Sequence, residues 1–483
     1  MADAFRAAIR IPNLLNNLFG EGVLSASFIT VYSKLRALGQ DDEAEHVAAA
    51  VFGILALVSS ALALFGALFT PILIDLIAPG FKGDIRELTI RIVRILFPGT
   101  SLLVMSAWCL GVLNSHRQFL LSYTAPVAMN ATMIAVLLIG GPRSTQSQLA
   151  LDLAWGSVLG AALLFLVQLP RVLGLVPGLR PNLDVRSAHV QSVLRNFGPI
   201  FVSRGVVQIS AYVDSMIASL LPTGAVAALG YGQVISVLPI SLFSMSVSAA
   251  ELPAFSSVIG TRDEIADRLR ERLGAGLRRI AFLVVPSAVA FLVLGDIVAA
   301  AVYQSGRFHH ADAVYVWAVL AGSAVGLPAT GLGRLYSSAF YAIFDTRTPL
   351  RFAMIRVALT IALGVICALF VPRWLGIDPK WGIGGLTASA GIAGWVEFTL
   401  LRTALNRRIG KAPLSAGFLA RLWLVAFLGA GVAYWIKRAM GVSHPILLAC
   451  AALGLYGAIY FGGTAMLGVP EARRSIRSIA VKT

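Results

Sequence analysis

Residues 1–32 read as one apolar helix with a polar stripe along a single side. At about 100° per residue, Asp3, Arg6, Arg10, Asn13, Asn17 and Glu21 fall within an arc of roughly 80°. Phe5, Ile9, Ile11, Leu14, Leu15, Leu18, Phe19, Val23 and Leu24 fill the other faces. Apolar runs of similar length recur at 47–78, 88–113, 119–140, 149–174, 190–220, 224–258, 276–303, 311–341, 350–371, 381–405, 418–440 and 445–467. With 3–32 this predicts an all-α polytopic membrane protein of about thirteen helices, each able to cross a hydrocarbon core of ~30 Å. The runs are continuous and lack period-two alternation, which excludes a β-barrel. Charges within a bilayer are costly, so the stripe should face a wet cavity or other protein, and it points to transport of something polar.

Composition agrees with this class. The chain is 58% hydrophobic and 13% charged, with mean hydropathy +0.81. A net charge of +16 raises the question of nucleic acid, but the basic residues gather in alternate loops rather than on one surface. They collect at Lys34 and Arg36, at Arg171, Arg180, Arg186 and Arg195, and around Arg262, Arg268, Arg270, Arg272, Arg278 and Arg279. The set continues at Arg347 and Arg351, at Arg402, Arg407, Arg408 and Lys411, and in the tail at Arg473, Arg474, Arg477 and Lys482. This is the positive-inside pattern; it places the C-terminus in the cytoplasm and sets nucleic acid aside. The 259–279 segment mixes these arginines with Asp263, Glu264, Asp267 and Glu271. It reads as an amphipathic connector lying against anionic lipid headgroups.

No chemistry-bearing constellation appears. Cys109, Cys367 and Cys450 lie singly in apolar runs without metal-ligand spacing. His309 and His310 lack companions, and Gly331-x-Gly333 has neither a third glycine nor a preceding strand. No enzyme activity, cofactor or metal is expected.

A weak internal repeat is visible at an offset of about 227 residues. RIPNLLNNLFGEGVLSASF (10–28) lies over VLPISLFSMSVSAAELPAF (237–255), matching Pro12 to Pro239 and Phe28 to Phe255. LIAPGF (76–81) falls near VYQSGRF (302–308). Paired repeats meeting around a central site are a recurring transporter architecture. The second copy has a helix at 190–220 before its 224–258 helix, and the first has no counterpart before Asp3. An odd number of crossings with a cytoplasmic C-terminus would also put Met1 outside. A further helix upstream of Met1 is therefore expected.

ADAFRAAIRIPNLLNNLFGEG followed by ASF closely resembles the second-helix signature of the MurJ/MviN family, flippases for lipid-linked peptidoglycan precursors. Ordered matches follow along most of the chain: APGF (78–81), LNSHRQF (113–119), AP (125–126) with Asn130, GP (198–199), QIS (208–210), YQSGRF (303–308) and FYAIFDTRTP (340–349). The resemblance implies two pseudo-symmetric six-helix lobes and a C-terminal helix pair forming a groove for a lipid tail. On this chain it implies an N-lobe at 1–175, a C-lobe at 188–405, the helix pair within 412–467 and a basic tail at 468–483. It also implies a polyprenyl-diphosphate oligosaccharide as cargo, lipid II in the first instance, and a bacterial inner membrane as location. Proteins of cell-wall synthesis are the other partners it suggests. Two departures stand out. Members that flip lipid II typically carry an arginine pair after PNLL, where this chain has Asn16 and Asn17. They usually carry Arg and Glu after the Tyr231 position, where it has Val234 and Val237. Another polyprenyl-diphosphate glycan, a small cation, or a non-transporting scaffold for envelope synthesis therefore remain alternatives.

Guanidinium suits such a cargo, because it is always charged and grips phosphate oxygens bidentately. Arg6 and Arg10, one turn apart, are the first candidates for substrate contact. The alternative is local pairing of Asp3 with Arg6 while Arg10 snorkels. Asn13 and Asn17 line the cavity or bond between helices, and Glu21 is a proton or cation site or a structural partner. Arg204 and Asp214 in the 190–220 helix are further candidates: Arg204 replaces one of the lost cations or pairs with a neighbouring carboxylate for structure alone. Arg334 resembles a basic position of the family, with Arg356 and Glu397 of the same kind. Pro12, Pro239 and Pro286 mark kinks.

Overall fold

A computed structural model describes residues 1–19, 24–256, 262–343, 345, 347–411, 414–440 and 444–473. No strand occurs among them. The helices are α1 (Ala2–Phe19), α2 (Thr30–Ala37), α3 (Asp41–Leu68), α4 (Thr70–Ile77), α5 (Gly83–Ser115), α6 (Phe119–Thr124), α7 (Pro126–Gly140), α8 (Gln146–Leu175) and α9 (Ala188–Ser219). They continue with α10 (Ala225–Pro239), α11 (Ser246–Ser256), α12 (Arg262–Tyr303), α13 (His310–Ala342), α14 (Arg347–Val365), α15 (Val371–Trp374), α16 (Gly382–Ile409), α17 (Ala416–Ala439) and α18 (Pro445–Met466). Single π-helical segments interrupt three of the expected crossings, at Ser25–Ile29, Ile240–Met245 and Ile366–Phe370.

Among the described residues ten helical stretches are long and apolar enough to cross a membrane. The three expected crossings outside that set correspond to α1, α9 and α16. Asp3, Arg6 and Arg10 crowd α1, Arg195, Arg204 and Asp214 interrupt α9, and five glycines with Glu397 dilute α16. These are helices whose polar content marks them for protein or cavity contact rather than lipid.

The chain divides into two compact units, Met1–Val226 and Ala227–Thr483. In the first, α5 is the central helix, packed against α1, α3 and α8. Its Trp108 is fully buried among Phe28, Tyr32, Val47, Ala48 and Leu113. Phe52 meets the Trp108 ring edge-on at 4.8 Å, and Phe28 stacks on it at 6.4 Å, the offset geometries that aromatic quadrupoles prefer. The first unit also contains α9, which the sequence places at the head of the second lobe. Two hydrogen bonds hold it there: Tyr212 Oη donates to the Arg10 carbonyl at 2.5 Å, and the Gly80 N–H donates to Ser219 Oγ at 3.2 Å.

In the second unit α13 packs between α12 and α16. Gly326 and Gly391 let α13 and α16 touch through backbone, since a Cβ on Gly326 would lie 2.3 Å from the Gly391 Cα. Close approach through small residues is how helices gain dispersion contacts where no hydrophobic effect drives them together. The C-terminal pair α17–α18 packs on α12 around Pro286. Proline has no N–H for the carbonyl four residues earlier, and that carbonyl, on Phe282, accepts instead from Tyr460 Oη at 2.7 Å. Tyr456 Oη donates to the Pro286 carbonyl at 2.8 Å. One face of α18 thus supplies the hydrogen bond that Pro286 takes from α12 and adds a second beside it. Asp296 on α12 also pairs with Lys437 on α17.

Candidate substrate site

The polar stripe divides by depth along α1. Asp3 is buried, and its carboxylate accepts from the Gly224 N–H. It therefore anchors the turn that leads into α10. Arg6 and Arg10 are half-buried, while Asn13 and Asn17 are exposed. Arg10 lies within electrostatic reach of Tyr212 and Asp214 on α9 and of Arg6 one turn back. The Tyr212 hydroxyl, which donates to the Arg10 carbonyl, also meets the Leu14 N–H. It touches both ends of the rung that spans Pro12. Glu21 lies outside the described residues, as does the side chain of Arg204.

A second cluster forms in the other unit. Arg356 on α14 donates to Glu397 Oε2 on α16 at 3.1 Å. Arg334 on α13 lies within electrostatic reach of Arg356, Glu397 and Tyr341. Two guanidiniums lie within reach of one carboxylate, so this group keeps a net positive charge able to meet an anion. A clasp outside the apolar stretch ties the same three helices together. The Asp345 carboxylate accepts from the Thr348 N–H at 3.0 Å, from Thr348 Oγ1 at 2.7 Å and from Arg408 at 2.7 Å. These donors hold its pKa down at about 2.

Structure thus brings Arg6, Arg10 and Asp214 together in one unit and Arg334, Arg356 and Glu397 in the other. Tyr212 and Tyr341 were missed from sequence, because a phenol within an apolar run carries no periodic signal. Glu251 on α11 is partly covered and pairs with Arg272 at 3.5 Å. Val234 and Val237 are both exposed. Among the described residues no group of three or more His, Cys, Asp or Glu is placed to hold a metal ion.

Membrane-length helices carrying arginine clusters with carboxylate and phenol neighbours define a polytopic transport protein. The family model described as lipid II flippase MurJ matches residues 1–449. The chain belongs to the MurJ lipid II flippase family, whose members are transporters of the bacterial inner membrane. It is 29% identical to the lipid II flippase MurJ of Burkholderia cenocepacia, over 97% of this chain and 91% of that one. It is 31% identical to a "Probable lipid II flippase MurJ" of Rhizobium meliloti, over 99% and 90%. A solved MurJ structure in an inward closed conformation matches with TM-score 0.76 at 21% identity, covering 96% of this chain and 92% of the other. An inward-facing multidrug resistance transporter of the MATE family matches with TM-score 0.59 at 16% identity, covering 84% and 91%. Both likenesses speak to the fold.

Proposed function

We propose that this protein moves lipid II across the bacterial inner membrane by alternating access, with Arg6 and Arg10 receiving the diphosphate. The family assignment carries the function, a transport step that makes and breaks no covalent bond. The observation that carries the site is the placement of Arg10 against Asp214 and Tyr212, with Arg6 one turn away. A diphosphate crossing a low-dielectric slab must exchange its hydration for fixed donors. Guanidiniums held by neighbours supply them at small conformational cost. Asn13 and Asn17, exposed beyond the arginines, offer neutral donors and acceptors to the glycan. Arg334 with Arg356 offers a further cationic station in the second unit.

The helix pair α17–α18 suits the polyprenyl tail, because Leu424, Phe427, Leu428, Trp435, Ile446 and Leu447 leave it apolar and exposed. The distribution of basic loops puts the C-terminus in the cytoplasm. The test is expression in cells depleted of their own lipid II flippase. The wild-type chain restores growth and Arg10→Ala does not. Absence of rescue by the wild type overturns lipid II as cargo, and full rescue by Arg10→Ala overturns the site.

A further inference from the structure

Where α2 passes to α3 and α5 passes to α6, a cavity of about 500 Å³ opens between Ile29, Ser33, Arg36, Asn114, Arg117 and Phe119. The backbone at its rim is a helix cap of the kind glycine usually serves. The Gln118 N–H reaches the Leu113 carbonyl at 2.9 Å, and Arg117 between them has φ of 57°. Among the described residues Arg117 alone takes this left-handed conformation without being glycine. A side chain is disfavoured there, yet the position carries a guanidinium, exposed and without a hydrogen bond or ion pair among the described residues.

Opposite it, Arg36 reaches the Ser115 carbonyl at 3.4 Å and lies 3.9 Å from Asp41. Asn114 Oδ1 is buried and lacks a hydrogen-bond partner, an acceptor waiting for a donor. Burial first, then the charge of Arg36, holds His116 below the ordinary histidine pKa; Asp41 pulls the other way and Arg171 adds a smaller lowering. Phe119, which lines the cavity, is exposed, as are Leu38 and Leu120, next in the chain to the lining residues Ala37 and Phe119.

We propose that this cavity binds the headgroup of a membrane phospholipid. Arg36 and Arg117 take the phosphate, Asn114 Oδ1 accepts from an N–H or O–H of the headgroup, and the acyl chains run along Leu38, Phe119 and Leu120. A free phosphate would leave the apolar flank unused. The site is independent of the arginines assigned to cargo.

The full chain, purified in detergent, is titrated with dioleoyl-phosphatidylglycerol, dioleoyl-phosphatidylcholine or inorganic phosphate, and bound lipid is counted by native mass spectrometry. One phosphatidylglycerol should remain on each wild-type chain. Phosphatidylcholine, which has no headgroup donor, should bind several-fold more weakly. Arg117→Gly suits the backbone and removes the charge; it should keep the wild-type melting midpoint and bind phosphatidylglycerol about tenfold more weakly. Arg117→Asn, also tolerant of this φ, should give the same loss. Arg143→Gln, a charge change elsewhere on the surface, should leave binding intact. Unchanged binding in both Arg117 variants overturns the proposal. So does equal loss in Arg143→Gln, equal binding of phosphatidylcholine, or displacement of the lipid by an equal concentration of inorganic phosphate.

Discussion

Arg10 in the first unit and Arg334 in the second keep similar company: another arginine, a carboxylate and a tyrosine. They are assembled differently. Arg6 and Arg10 share one face of one helix, and α9 brings Asp214 and Tyr212 to them. Arg334, Arg356 and Glu397 come singly from α13, α14 and α16. The first cluster is therefore pre-aligned by the pitch of α1 and needs one neighbour to hold it. The second exists only while three helices stay packed, and the Asp345 clasp with Thr348 and Arg408 binds the ends of those same helices. Under the proposed function, the first cluster receives cargo and the second is a station whose integrity depends on the bundle.

The largest expected effect separates the two directly. In vesicles reconstituted with labelled lipid II, Arg10→Ala should slow flipping about 100-fold and Arg334→Ala about tenfold, as losses of charge-assisted contacts of about 1.5–3 kcal/mol imply. The reverse order would break the comparison. Next, Glu397→Gln leaves Arg334 and Arg356 facing each other without a carboxylate. About 1–2 kcal/mol of stability should be lost, less than for a fully buried pair because Arg356 is partly exposed. Adding Arg356→Gln should recover most of it in a thermal melt, and failure to recover would deny the coupling.

Smaller still, Tyr212→Phe removes the donor to the Arg10 carbonyl and should cost about 1 kcal/mol. Tyr341→Phe should cost under about 0.5 kcal/mol, as for a change that breaks no key contact. Equal costs would erase the distinction between a positioned and a bystander phenol. A pH dependence tests the clasp on its own. The Asp345 carboxylate has its pKa lowered to about 2, below the ~3.9 of an unfolded aspartate. Its stabilisation is complete above about pH 4 and is lost as pH falls through about 2. The melting midpoints of wild type and Asp345→Asn should therefore differ at pH 5 and converge near pH 2; a constant gap would refute the clasp.

The difference between the clusters also governs how much of each was legible in the sequence. Arg6 and Arg10 stood out because helical periodicity gathers polar residues onto one face, a signal contained in a few consecutive turns. Arg334, Arg356 and Glu397 each interrupt a separate apolar run, and nothing local says that they meet. Asp3 shows the converse. Periodicity put it on the stripe, but its carboxylate goes to the Gly224 amide, 221 positions along the chain. The helices themselves were readable from apolar run length. The partners of the backbone around Pro286 were not, since Tyr456 and Tyr460 look like ordinary residues of an apolar helix until their hydroxyls are placed.

The π-helical segments at Ile240–Met245 and Ile366–Phe370 give two of these helices a phase that can change. A π turn holds one residue more than an α turn, so the faces above and below it are offset by about 100° from those of an unbroken helix. Passing that surplus residue along the ladder breaks only a few hydrogen bonds at a time, and each residue it passes turns to a new side. A rod built this way behaves as a screw with a movable thread. It can re-aim a stretch of side chains while its two ends stay where they are.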